Sequence, residues 1–213
     1  MSAAVRVLAA LLAGYLCGAL PIGLWLGRLR GIDVREHGSR NLGATNVYRV
    51  LGPPLGLLTL VLDILKGALP TWLLPGLPFF AAFPGGREWC AVTIGLAAVA
   101  GHVWTCFAGF RGGKGVATTV GVLLAVAPVA FAVFAGAFLV TLAITRYVSL
   151  GSILGSVAFV IALLWQSAGH LGRPVLWMGV LLAVLVIARH KDNLSRLRRG
   201  EERRFAFRRG AAA

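Results

Sequence analysis

The chain has 213 residues, 58% of them hydrophobic and 13% charged, with a mean hydropathy of +0.84. This composition excludes an ordinary soluble enzyme and reads as an all-α polytopic integral membrane protein, one membrane-embedded domain over 1–213. Lys and Arg number 21 against 7 Asp and Glu, a net charge of +14, and the cations cluster at the ends of apolar runs. Little aromatic character is interleaved with them, which argues against nucleic acid and for membrane lipids and small phosphorylated molecules as partners.

In chain order, the first apolar run predicts a helix over Ala4–Leu26, retained rather than cleaved because it runs on into Arg28 and Arg30. A polar stretch, Gly27–Asn46, follows, with a short helix expected from about Ala44. The next helix starts at Pro53-Pro54, since proline suits a first helical turn, and ends near Leu74. Pro75–Glu88 reads as a loop and Trp89–Phe107 as the next helix. Val116–Thr145 is longer than the roughly 20 residues of one ordinary span, so a hinge near Pro128 is expected to divide it into two short helices. Val148–Ser167 and Val175–Ala188 complete the set.

The basic loop after the first helix and the basic C-terminal tail should both be cytoplasmic. Parity then favours about seven transmembrane helices, with the N-terminus outside and the C-terminus cytoplasmic. Residues 203–213 are expected to form a disordered basic tail. Cys17, Cys90 and Cys106 lie in or beside apolar runs without CxxC spacing or a histidine partner. They are expected to be buried, inert thiols; no metal ligands and no cofactor are indicated.

Three polar clusters fall on one side of the membrane in this topology. The first is Gly38–Gly52, where Gly43 starts a short helix whose first N–H groups, around Thr45 and Asn46, suit an anion, with Arg49 one turn on. In the second, Gly109–Thr119, the N–H groups of Gly112, Gly113 and Gly115 are expected to converge on an anion beside Lys114 and the N-terminus of the following helix. It is not a Walker A loop: Ala108 stands where the first glycine belongs and Gly115 replaces the metal-binding hydroxyl. The third cluster runs from His190 to Glu202, with His190 and Asn193 on one helix face. Elsewhere, Asp63 and Lys66 read as an ion pair inside a membrane helix, and His102 as a packing histidine.

Taken in order, the clusters resemble the three motifs of the bacterial acyl-phosphate-dependent glycerol-3-phosphate acyltransferases. The first is matched at Gly38–Gly52, the second from Gly101-His102 to Thr118, and the third by His190, Asn193, Arg196, Leu197, Gly200 and Glu202. Asp63–Gly67 and Arg146–Leu150 also look like family features, and the resemblance covers nearly the whole chain. Leu42, where proline is usual, and Arg111, where lysine is common, are the departures.

The resemblance implies transfer of an acyl group from acyl phosphate to the 1-hydroxyl of glycerol-3-phosphate, giving lysophosphatidic acid and phosphate at the cytoplasmic face of the bacterial inner membrane. It assigns Ser39, Arg49, Lys114, His190 and Asn193 to catalysis. Asn41, Gly43, Thr45, Asn46, Gly112, Gly113, Gly115, Thr118 and Arg196 are assigned to substrate and phosphate. His190 is expected to orient the substrate as a hydrogen-bond donor, with the donor phosphate or His190 itself as base; Ser39 is expected to bind rather than attack. A monomer is expected. The competing class is an organic-phosphate transporter, which would place its substrate charges near the midplane of two repeats.

Overall fold

The computed structural model describes residues 2–168 and 170–206, and every regular element among them is helical. In order these are α1 Ala3–Ala19, α2 Ile22–Arg28, α3 Ala44–Leu51, α4 Pro53–Leu73, α5 Gly86–Val103, α6 Val116–Val126, α7 Pro128–Thr145, α8 Val148–Gln166, α9 Pro174–Arg189 and α10 Lys191–Arg198. Five segments are long and apolar enough to cross a bilayer, the first being α1 and α2 taken together. α9 and α10 add a sixth if the 53° bend between them is counted within one span. The long run does divide before Pro128, and α6, with 11 residues, rises only about 16 Å, roughly half a hydrocarbon core.

α5 is the central helix, packed on α1, α4, α6 and α9. In lipid the backbones must approach closely to gain packing, and small residues permit it. Gly14 and Gly18 of α1 lie directly on the α5 backbone at Ile94 and Ala98, and Gly101 of α5 receives the α1 backbone at Tyr15 and Ala19. A Cβ at Gly18 would overlap Ala98 backbone atoms. Gly18→Val is therefore expected to cost about 1–3 kcal/mol, measured as a lowered thermal midpoint in detergent.

The first helix is not continuous over Ala4–Leu26. Pro21 lacks an N–H and its ring would meet the carbonyl four residues back, so α1 stops at Ala19 and α2 restarts at Ile22. The carbonyls released at this break acquire side-chain partners: the Thr105 hydroxyl donates to that of Ala19, and Lys66 Nζ donates to that of Leu20 at 2.7 Å.

Two further expectations are corrected. Cys106 is exposed, not buried, because it sits in a 3-10 turn beyond the end of α5, and Cys17 on α1 is only half-buried. The tail is docked as far as residue 206: Phe205 N–H donates to the Arg146 carbonyl at 2.6 Å, and its ring lies 4.9 Å from that of Tyr48. The remainder of the tail, 207–213, lies outside the described residues.

The tryptophans mark the two membrane edges, as their half-apolar rings require. Trp72, Trp89, Trp165 and Trp177, all exposed, lie where α4 and α8 end and α5 and α9 begin. Trp25 is exposed near the other end, and Trp104 is exposed where α5 stops.

Candidate active site

Asp63 is the eleventh of the 21 residues of α4, so it lies at the middle of that helix. His102 of α5 is at the same level, its Nδ1 3.6 Å from Asp63 Oδ1. The His102 ring in turn lies under Gly113, where a Cβ would overlap it. The glycine-lysine loop between α5 and α6 therefore descends about halfway along α4, deeper than the membrane-surface loop expected from sequence.

How the loop is held revises the expected anion cradle. Gly112 N–H donates to the Val103 carbonyl and Gly113 N–H to that of His102, both at 3.1 Å. Those two donors cap the end of α5 and do not face an anion. Gly115, at φ +83°, turns the chain in the left-handed region and caps α6, so the first-turn N–H groups of α6 are left without carbonyl partners inside the helix. Thr118, one turn into α6, is fully buried against Gly67 of α4.

Lys114 Nζ donates to Asn193 Oδ1 of α10. Asn193 Nδ2 donates to Glu202 Oε1 at 2.6 Å, Ser149 Oγ donates to the same oxygen at 2.7 Å, and Arg196 Nε reaches Glu202 Oε2 at 2.8 Å. One carboxylate thus gathers α8, α10 and the chain after it around the lysine. Burial opposes charge on Lys114, and although Glu202 counteracts this, the ammonium is brought down to about 8. Glu202 is held below its ordinary value by Ser149, Asn193 and Arg196 against the opposing effect of burial. Arg49 is pulled down by burial and pushed back up by Glu202, and its Nη2 donates to the Arg203 carbonyl at 3.3 Å.

His190 is buried in the bend between α9 and α10, with Nδ1 2.7 Å from the Val186 carbonyl. A carbonyl only accepts, so Nδ1 carries the proton, and the neutral ring leaves Nε2 as an acceptor.

The first cluster is organised by Asn46. This side chain is buried: Nδ2 donates to the carbonyls of Val34 and His37, and Oδ1 accepts from Ser39 N–H at 2.7 Å. Asn41 Oδ1 accepts from Gly43 N–H at 2.8 Å, setting the turn into α3. Ser39 and Asn41 are thus tied within their own loop, Thr45 lies half-buried on the first turn of α3, and Arg49 extends from α3 toward the tail.

Lys114, Asn193 and Arg196 are brought together; Ser149 and Glu202 join them and were given no site role from sequence. Both stand inside stretches already conspicuous, Arg146–Leu150 and Gly200–Glu202, where a lone hydroxyl and a lone carboxylate carry no pattern of their own.

A family model described as glycerol-3-phosphate acyltransferase matches residues 8–200. The chain is 46% identical to the glycerol-3-phosphate acyltransferase of Geobacter sulfurreducens over 90% of its length and 93% of that protein. To the protein of the same name from Fusobacterium nucleatum it is 41% identical over 91% and 95%. Among solved structures it is similar to the integral membrane glycerol 3-phosphate acyltransferase PlsY in its glycerol 3-phosphate form. That match has a TM-score of 0.83 and 38% identity over 94% of this chain and 96% of that one. The lysophosphatidic acid form of PlsY matches with a TM-score of 0.80.

Proposed function

The chain belongs to the glycerol-3-phosphate acyltransferase family and is a membrane-embedded enzyme of that kind; from this premise we propose that its acyl donor is an acyl phosphate and its product lysophosphatidic acid. The observation that carries the reading is a cationic site, Lys114 with Arg196 and Arg49, built at and above a loop that descends to mid-helix. An anionic head group and a membrane-borne acyl carbonyl meet at such a depth. The solved lysophosphatidic acid form of PlsY supports the product.

In this reading the 1-hydroxyl oxygen of glycerol-3-phosphate attacks the acyl carbonyl carbon. A new ester C–O bond forms and the carbonyl–phosphate bond breaks, with the pair of electrons leaving on phosphate. Little acid catalysis is required, since phosphate leaves readily; holding two anions in line is the main task. Lys114 and the α6 N-terminus hold one phosphate, and Arg49 with the α3 N-terminus holds the other. His190 Nε2 accepts from the attacking hydroxyl, orienting it, and the proton goes on to the departing phosphate. The donor role expected of His190 is in this way turned into an acceptor role. Ser39 binds a substrate oxygen, and Asn193 positions Lys114.

Arg6, Arg87 and Arg173 lie at the end remote from the site, whereas the other described cations, apart from Lys66 inside α4, lie toward the site end. That asymmetry supports a cytoplasmic site in the bacterial inner membrane, seven spans and an outside N-terminus. The enzyme is proposed to act as a monomer on membrane lipid precursors.

The test offers purified protein palmitoyl phosphate and palmitoyl-CoA separately, with labelled glycerol-3-phosphate. Lysophosphatidic acid from the acyl phosphate alone is expected; product from the CoA ester alone would overturn the donor. A pH series supplies a second check. Lys114 loses its charge above about 8, so kcat/KM for glycerol-3-phosphate is expected to fall as pH rises through that value. Lys114→Arg, which keeps its charge, should move that fall out of the measured range.

A further inference from the structure

The chain after α10 runs from the Lys114 site to α3, and the end of α10 sets its direction. Gly200 stands at φ +72°; its N–H donates to the Leu197 carbonyl, and Glu201 N–H donates to that of Arg196 at 2.8 Å. This pair of bonds is the usual glycine-terminated helix end. Glu202 then reaches Asn193, Ser149 and Arg196, and the chain continues without regular structure to Ala206.

The stretch 203–206 is held from two sides. At the junction of α7 and α8, Phe205 N–H donates to the Arg146 carbonyl at 2.6 Å, and the Arg204 guanidinium lies 5.7 Å from the centre of the Tyr147 ring. On α3, two consecutive residues take it: Arg49 Nη2 donates to the Arg203 carbonyl and the Tyr48 hydroxyl to the Ala206 carbonyl, each at 3.3 Å. The Tyr48 ring also lies 4.9 Å from that of Phe205. The charges acting on Arg49 are those of Glu202, Arg203 and Arg196, so the arginine so held stands beside the Lys114 cluster.

An arginine side chain is costly in entropy to fix in one pose. A guanidinium is planar, so engaging one of its nitrogens orients the whole fork. We propose that Phe205 and Tyr48 are positioning residues for acyl transfer: their contact seats the strap 203–206, whose Arg203 carbonyl sets Arg49 in the pose that takes a substrate phosphate. The inference deepens the role given above to Arg49 and rests on it. Without the strap the substrate itself has to order Arg49, and that ordering is subtracted from its binding. The loss falls on the affinity for one phosphate substrate, the one that Arg49 takes.

Steady-state kinetics test this, with each substrate varied in turn and the donor being the one that the wild-type chain accepts. Phe205→Ala is expected to raise one KM about tenfold, leaving the other KM and kcat within about twofold. Phe205→Tyr, which keeps the ring, should behave as wild type. In a chain already carrying Arg49→Ala, adding Phe205→Ala should change KM no further, because the strap acts through that arginine. Additive losses in this cycle, or a fall in kcat with both KM values unchanged, would overturn the proposal. So would higher activity on truncation directly after Glu202, which would make the strap a cover that substrate displaces. If Arg49→Ala alone left both KM values unchanged, the phosphate role of Arg49 would fall and the strap's with it. If Arg49→Ala raised a KM and Phe205→Ala did not, the strap's role alone would fall.

Discussion

Lys114→Ala is expected to lower kcat/KM for acyl transfer by about 10³-fold, equivalent to roughly 4 kcal/mol of transition-state stabilisation. The size follows from where the ammonium sits. It is the charge at the bottom of a buried site, its Nζ donating to Asn193 and its neighbours including Arg196 and Arg49. Removing it leaves Asn193 Oδ1 without its donor and takes away one of the cations that offset Glu202, leaving Arg196 to do so alone at hydrogen-bond distance. Ser149→Ala, which removes a single hydroxyl from Glu202, should cost only about tenfold. Steady-state kinetics on both variants separate the two cases. If Lys114→Ala retained a tenth of the activity, the lysine would be serving the loop's structure and another cation would hold the phosphate.

The contrast between those residues also shows what the sequence made legible. Lys114, His190 and Asn193 stand in patterned stretches between apolar runs, and the apolar run lengths alone predict the spanning helices. Three features were hidden for physical reasons. Gly112 and Gly113 looked like free anion donors, but their N–H groups satisfy carbonyls at the end of α5, a tertiary cap that has no local signature. Asn46 looked like a ligand and is a buried strut, since only the folded loop brings Val34, His37 and Ser39 around it. Pro21 breaks the first helix within a run whose hydropathy is continuous, because hydropathy does not count backbone donors.

The Pro21 break leads to the largest stability effect expected in the molecule. The Leu20 carbonyl it releases is taken by Lys66, and Lys66 is charge-paired with Asp63 at 2.7 Å, the two side chains only 6% and 3% exposed. Asp63→Leu leaves a buried ammonium with a carbonyl but no counter-charge, and should cost about 3–5 kcal/mol. Lys66→Met strands the carboxylate and should cost a similar amount. The double variant Asp63→Leu/Lys66→Met removes both charges together, so its thermal midpoint in detergent is expected to lie well above that of either single variant. Additive losses would mean that each residue stabilises through neighbours other than its partner. Activity should not recover in step. Asp63 faces His102, and His102 lies under Gly113, so the apolar pair supports the helices while leaving the glycine-lysine loop less firmly seated. A double variant that is stable yet about tenfold slower, with KM for glycerol-3-phosphate raised, is the expected result. Full activity in it would confine the buried charges to folding. An ion pair at mid-helix thus has two separable jobs here: closing the break that Pro21 opens, and supporting from below the loop that presents Lys114.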